Sequence, residues 1–215
     1  MKFVVFDLDG TLVESAPDIH DAANRFLADL GISSMSLETV IGFIGNGVPK
    51  LVERVMNEVG IAHCEEKHLE LVAAFSAHYA VNPATLSYLN KGALNALEQL
   101  KSAGFQMAVC TNKPYGLTMQ VLQCLKIDGY FDVVIGGDSL EVRKPDPAPL
   151  NKVMKLMGAP SCIYVGDSEV DAETARNAGQ PFYLFTDGYR KASVEELRPD
   201  AVFDDFSVLP SLLGN

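Results

Sequence analysis

Phe3-Val4-Val5-Phe6-Asp7-Leu8-Asp9-Gly10-Thr11-Leu12 decides the reading of this chain. Its first four residues form an apolar run of the length of a buried strand. Asp7 and Asp9 then set two carboxylates at the strand's carboxyl end, where repulsion raises a pKa unless a cation intervenes. Gly10 permits a sharp turn, so that backbone amides can approach a bound anion. Alone, these residues fit an ordinary Asp-Gly turn after a strand equally well.

Two of three further segments repeat the pattern of an apolar run ending in polar chemistry, and the other sets a cation among prolines. Val109-Cys110-Thr111-Asn112-Lys113 offers a hydroxyl and an amide, suited to phosphate oxygens or to capping a helix that starts near Pro114 or Tyr115. Arg143-Lys144-Pro145-Asp146-Pro147 holds a lysine among prolines before a helical stretch, Ala148 to Met157. Ile163-Tyr164-Val165-Gly166-Asp167-Ser168-Glu169-Val170-Asp171 ends in glycine and aspartate, with Asp171 one helical turn beyond Asp167. Each has a bland reading as a cap or a solvated side chain. Their joint occurrence at strand ends points to one site.

With these four segments in this order, the chain resembles the haloacid dehalogenase-like superfamily of phosphotransferases. The resemblance implies that Asp7 is the nucleophile and Asp9 the general acid and base. It implies that Thr111 and Lys144 hold the phosphate, with backbone amides of Leu8 and Asn112 completing the cradle. It further implies a Mg²⁺ ion on Asp7, Asp167 and the main-chain carbonyl of Asp9. Asp171 then lies outside the direct ligands and orients a water on the metal.

Within the superfamily, the chain is similar to the phosphoglycolate phosphatase family. That similarity rests on Asp9-Gly10-Thr11-Leu12-Val13-Glu14-Ser15-Ala16-Pro17-Asp18, on Phe43-Ile44-Gly45-Asn46-Gly47, and on Val134-Ile135-Gly136-Gly137-Asp138. Glu14 stands where that family's usual Asp precedes the serine, and it retains the charge. The similarity implies hydrolysis of 2-phosphoglycolate to glycolate and phosphate. Gly45, Asn46 and Arg54 are then the candidate substrate contacts, Arg54 because a guanidinium grips a carboxylate in two places. A plain Asn-Gly turn, and a surface ion pair between Arg54 and Glu58, are the competing readings.

Other chemistries fit less well. A dehalogenase of the superfamily needs neither Mg²⁺ nor Asp9, and a phosphonatase is expected to carry alanine there. A sugar phosphomutase, a phosphatase or pyrophosphatase of other specificity, and a catalytically idle binding module remain as alternatives.

At 215 residues and 48% apolar, the chain can bury a full core. The net charge of −11 has no basic stripe to offset it and argues against a nucleic-acid partner. The early apolar run is too short for a signal peptide or a membrane span, so a cytoplasmic location is expected by default. Cys64, Cys110, Cys124 and Cys162 lack zinc-type spacing and are expected as reduced, mostly buried thiols. The anticipated partner is a small phosphorylated metabolite.

Strand-like runs near Phe105–Cys110, Val133–Ile135, Ile163–Val165, Phe182–Phe185 and Ala201–Phe203 alternate mostly with helices. The alternation predicts an α/β, doubly wound parallel sheet of Rossmann-like form, with the site beyond the strands' carboxyl ends. Residues from Pro17 to Val81 instead show only helical periodicity. Apolar faces fall at Ala22, Ala23, Phe26, Leu27 and Leu30, then at Val48, Leu51, Val52, Val55 and Met56. A third falls at Leu69, Val72, Ala73 and Tyr79. The expected division is a catalytic core over residues 1–15 and 82–215, with a helical cap inserted over 16–81. Linkers fall near Glu14–Ala16 and Val81–Ser87, followed by a helix from Asn90 to Ala103.

Overall fold

The structure is a computed structural model that describes residues 2–214. Strand β1 (Phe3–Phe6) leads to β2 (Val13–Glu14), then to four helices: α1 (Ala16–Asp29), α2 (Leu37–Ile41), α3 (Val48–Glu58) and α4 (Glu65–Val81). The chain returns through β3 (Tyr88–Leu89), α5 (Ala93–Ser102), β4 (Gln106–Cys110), α6 (Tyr115–Cys124) and β5 (Val133–Ile135). It ends in α7 (Ala148–Met157), β6 (Ile163–Gly166), α8 (Glu169–Ala178), β7 (Phe182–Phe185), α9 (Val194–Leu197), β8 (Ala201–Phe203) and α10 (Leu209–Gly214).

Six parallel strands form one sheet in the order β5-β4-β1-β6-β7-β8. Strand alternation divides the core in two. Val4, Phe6, Met107, Val109 and Val165 face α5, α6 and α10, whereas Val5, Ala108, Cys110 and Tyr164 face α7 and α8. With both faces covered, β1 is apolar throughout. Chain order reverses across β1, toward β4 and β5 on one side and β6 to β8 on the other. That reversal opens a crevice at the strands' carboxyl ends.

Helices α1 to α4 bury their own apolar cluster, and Leu117 of α6 joins it from the sheet side. The faces expected for α1 and α3 are buried, apart from Leu30 at the end of α1. The face expected for α4 is half met: Tyr79 is buried and Val72 packs partly against the cluster, but Ala73 and Leu69 are exposed. Leu69 is 62% exposed, whereas Leu71, Phe75 and Tyr79 point inward. This helix is apolar nearly all round between Leu69 and Phe75, so periodicity alone leaves its phase open.

The linkers differ as well. Val13 pairs with Leu89 and Glu14 with Tyr88 in a two-stranded antiparallel ribbon beside the expected linkers, where the sequence reading places no strand. Two-residue strands leave no period to detect. Helix α5 begins at Ala93 because Asn90 is engaged elsewhere, its side chain donating to the Thr11 carbonyl at 2.6 Å. All four cysteines are free, as expected; Cys110 and Cys162 are buried, but Cys64 and Cys124 are exposed, so burial follows expectation for half of them. Among the described residues, no helix is long and apolar enough to cross a membrane.

Candidate active site

Asp7 leaves β1 directly into the crevice, its backbone N–H donating to the Val165 carbonyl on the neighbouring strand. Gly10, at φ +82°, turns the chain back so that Thr11 Oγ1 donates to Asp167 Oδ1 at 2.6 Å. Thr111 and Asn112 continue β4, and Asp167 continues β6. Three adjacent strand ends therefore deliver the candidate residues to one place, as the switch point requires.

Lys144 comes from the loop before α7 and is almost fully buried. Its Nζ donates to Asp171 Oδ1 at 2.7 Å and to Tyr164 Oη at 2.8 Å, and lies 3.1 Å from Asp7 Oδ1. Asp171 sits in the first turn of α8, where its other oxygen accepts from Ser168 N at 3.1 Å, Ser168 Oγ at 2.6 Å and Asp167 N at 3.2 Å. Both Asp171 oxygens are thus occupied by the protein. Gly166 allows this closeness, because a Cβ there would overlap Asp171.

The electrostatics follow from burial. Asp7 is pushed from 3.8 up to about 7, chiefly by desolvation; Lys144 opposes the shift and Asp171 adds to it. Asp167 is also raised, first by burial and then by Asp171 and Asp7. Asp171 goes the other way: burial opposes its ionisation, but Lys144 outweighs it, with hydrogen bonds from Lys144, Ser168 and Tyr164. Burial likewise works against the charge on Lys144, and Asp171 and Asp7 outweigh it to hold the ammonium above its usual range.

A cation fits this geometry. Oxygens of Asp7, Asp167 and Asp171 lie within 4.8 Å of one another. Asp7 Oδ1 is buried without a hydrogen-bond partner, its approach to Lys144 being off the hydrogen-bond direction. An all-oxygen donor set with two carboxylates held above their usual pKa suits a hard divalent ion. Asp171 accepts at least two hydrogen bonds on each oxygen, whereas Asp167 accepts one on each and Asp7 Oδ1 none, so Asp7 and Asp167 are the carboxylates with lone pairs left to hold one.

On the opposite side, the helical layer reaches down. Asn112 Nδ2 donates to the Gly45 carbonyl at 3.1 Å and to the Lys144 carbonyl at 3.1 Å. Gly47, at φ +82°, packs so closely on the Asn112 carbonyl that a Cβ would stand 2.8 Å from it. Arg54 of α3 donates to the Phe43 carbonyl at 2.8 Å and to Asn46 Oδ1 at 2.7 Å, in place of the alternative pairing with Glu58. Gly45, Asn46 and Arg54 line a cavity of about 210 Å³ with Asp7, Asp9 and Asp167. A neighbouring cavity of about 40 Å³ is lined by Asp7, Asp9, Thr111 and Asn112 below, and by Gly45, Phe75 and Tyr79 above. The structure brings every candidate except Leu8, Lys144 and Asp171 to these two walls, and Lys144 reaches Asp7 from behind them. The Leu8 side chain is in the core, and only its backbone borders Asp7.

Two residues at the site escape a sequence reading. Lys113 reaches Asp9 Oδ1 at 2.8 Å. Tyr189 donates its backbone N–H to Asp167 Oδ2 at 2.7 Å. The position of Lys113 beside Thr111 and Asn112 was the one available signal; Tyr189 had none.

The model of the family described as haloacid dehalogenase-like hydrolase matches residues 4–185. A phosphoglycolate phosphatase of Cereibacter sphaeroides is 49% identical over 213 residues, covering 99% of this chain and 98% of the relative. One from Cupriavidus necator is 41% identical over 213 residues, covering 98% and 92%. A crystal structure of a predicted phosphoglycolate phosphatase from Haemophilus somnus superposes with a TM-score of 0.93 at 32% identity, covering 99% of this chain and 98% of that one. The chain belongs to the haloacid dehalogenase-like hydrolase family, and within it is similar to phosphoglycolate phosphatases.

Proposed function

We propose that this chain is a Mg²⁺-dependent phosphomonoester hydrolase that works through an aspartyl phosphate on Asp7, with 2-phosphoglycolate as its substrate. The observation that carries the reading is the division of labour between the two acids after β1. Asp7 faces Lys144 and the acidic cluster, whereas Asp9 lies on the helical side against Lys113.

In the first step Asp7 attacks phosphorus and the ester P–O bond breaks, while Asp9 gives its proton to the departing alkoxide. In the second step Asp9 takes a proton from water, which attacks the aspartyl phosphate and frees Asp7. The Thr111 hydroxyl, Lys144 and the amides of Leu8 and Asn112 neutralise the oxygens around phosphorus, where one positioned donor can be worth about 3 kcal/mol. Mg²⁺ held by Asp7, Asp167 and the Asp9 carbonyl would neutralise negative charge on the phosphate and on the acids around it.

The helices α1 to α4 act as a cap, and Arg54 supplies the cation for a substrate carboxylate. Its guanidinium is held by Phe43 and Asn46 on the wall of the cavity shared with both acids. The identity to phosphoglycolate phosphatases over nearly the whole chain supports that choice of substrate. Phosphate release from a panel of monoesters, with and without EDTA, tests the reading. Loss of activity in EDTA and preference for 2-phosphoglycolate are expected; chelator-resistant turnover or preference for a hexose phosphate would displace it.

A further inference from the structure

Beside Asp9 lies a second buried cation that the chemistry above does not use. Lys113 ends the Thr111-Asn112-Lys113 segment and is 4% exposed. Its Nζ donates to Asp9 Oδ1 at 2.8 Å and to Tyr79 Oη, and stands 4.4 Å from the centre of the Tyr79 ring. Tyr79 belongs to α4, where it packs against Phe75 inside the helical cluster. Asp9 belongs to the sheet end. One ammonium therefore bridges the two layers, and all three residues line the same cavity.

A buried ion pair is a costly way to hold a fold together, since apolar side chains of similar volume serve as well or better. The two partners of this one are chosen from the proton-transferring residue and from the opposite layer. An aspartate side chain has two free torsions, and Asp7 lies two residues away to repel it. Contact with Lys113 engages Oδ1 and leaves Oδ2 for the reacting oxygen. The phenol and aromatic face of Tyr79 in turn fix Nζ, by a hydrogen bond and a cation–π contact.

We propose that Lys113 is the positioning residue for Asp9, and that Tyr79 makes this positioning conditional on α4 lying over the site. When α4 withdraws, Lys113 loses the phenol and the ring, Nζ is hydrated, and Asp9 is released from its productive orientation. Proton transfer is thereby confined to the covered site, shielded from bulk solvent. The inference rests on the reading of Asp9 as proton donor and acceptor.

Leaving-group dependence tests it on the full-length protein with Mg²⁺. The nitrophenolate of p-nitrophenyl phosphate departs without a proton, whereas the alkoxide of the best alkyl ester needs one. Lys113→Met is expected to lower kcat for the alkyl ester on the order of 100-fold with KM little changed. It should keep a fast burst of nitrophenolate, close to one per site, followed by slow turnover. Tyr79→Phe, which keeps the ring and removes only Oη, should give the same pattern with a loss of about tenfold. If Lys113→Met does not fold, Tyr79→Phe decides alone. Asp9→Asn is the reference. If it shows the selective loss while the other variants slow burst and alkyl ester equally, or change neither, the positioning role is wrong. Absence of the selective loss in Asp9→Asn itself would sink the underlying reading of Asp9.

Discussion

The backbone N–H of Tyr189 donates to Asp167 Oδ2 at 2.7 Å, joining the loop after β7 to the acidic cluster. The phenol of Tyr189 lies at the other end of the same link. It accepts the amides of Ser15 and Ala16, each at 3.0 Å, and donates to Glu14 Oε1 at 2.7 Å. Burial, and then the Glu14 carboxylate, hold the phenol well above its ordinary pKa, so it stays a donor. One residue thus connects a candidate metal ligand to the point where the chain enters the helical layer. Gly188 makes the approach possible, since a Cβ there would overlap Asp167.

Tyr189→Phe removes the phenol's bonds while keeping the ring, and leaves the Ser15 amide without its acceptor, whereas the Ala16 amide keeps Glu14 Oε1 at 3.2 Å. Stability should fall by about 1–3 kcal/mol, measured as a lower urea midpoint with an unchanged slope. A midpoint equal to that of wild type would contradict the role given to the phenol.

Arg54→Ala should raise KM for 2-phosphoglycolate tenfold or more, about 1.4 kcal/mol per tenfold. Turnover of p-nitrophenyl phosphate, which carries no carboxylate, should barely change. Steady-state kinetics on the two substrates decide the matter, and equal losses on both would take Arg54 out of substrate recognition.

The acidic cluster sets a pH dependence for the metal-free protein. Asp7 is raised from 3.8 to about 7 by burial, with Lys144 opposing. A carboxyl raised in this way binds its proton more tightly folded than unfolded. Its stabilising contribution is full below the unfolded value and is lost as pH rises through about 7. Asp167 shifts in the same direction, whereas Asp171 is lowered by Lys144 against its own burial and acts only at more acid pH. In EDTA, thermal stability should therefore decline from pH about 4 to about 7 as far as these groups govern it, and Mg²⁺ should raise Tm more at pH about 8 than at about 5. Melts at both pH values check this. An Mg²⁺ effect that is larger at acid pH would mean that the ion does not bind at these carboxylates.

Much of this architecture was legible because it is local. Apolar runs such as Val4-Val5-Phe6 and Ile163-Tyr164-Val165 announce strands, and Asp7, Thr111 and Asp167 each follow their strand directly. What stayed hidden depends on distance along the chain. Lys113 meets Asp9 across 104 positions, and Tyr189 meets Ser15 across 174. Nothing beside either residue announces its partner. The phase of α4 was only half legible because a helix apolar on most sides has no single stripe to read. Arg54 was legible as a candidate cation on α3, but the Phe43 and Asn46 contacts that hold it come from the fold.

The central claim is that Asp7 carries the phosphoryl group, and trapping that adduct tests it most directly. Asp9→Asn protein with Mg²⁺ would be mixed with p-nitrophenyl phosphate, quenched in acid, digested and sequenced by mass spectrometry. The account predicts a hydroxylamine-sensitive phosphate on Asp7, close to one per chain, and none when Asp7→Asn is added. A phosphate on another residue, or fast nitrophenolate release with no covalent adduct at any time after mixing, would contradict it.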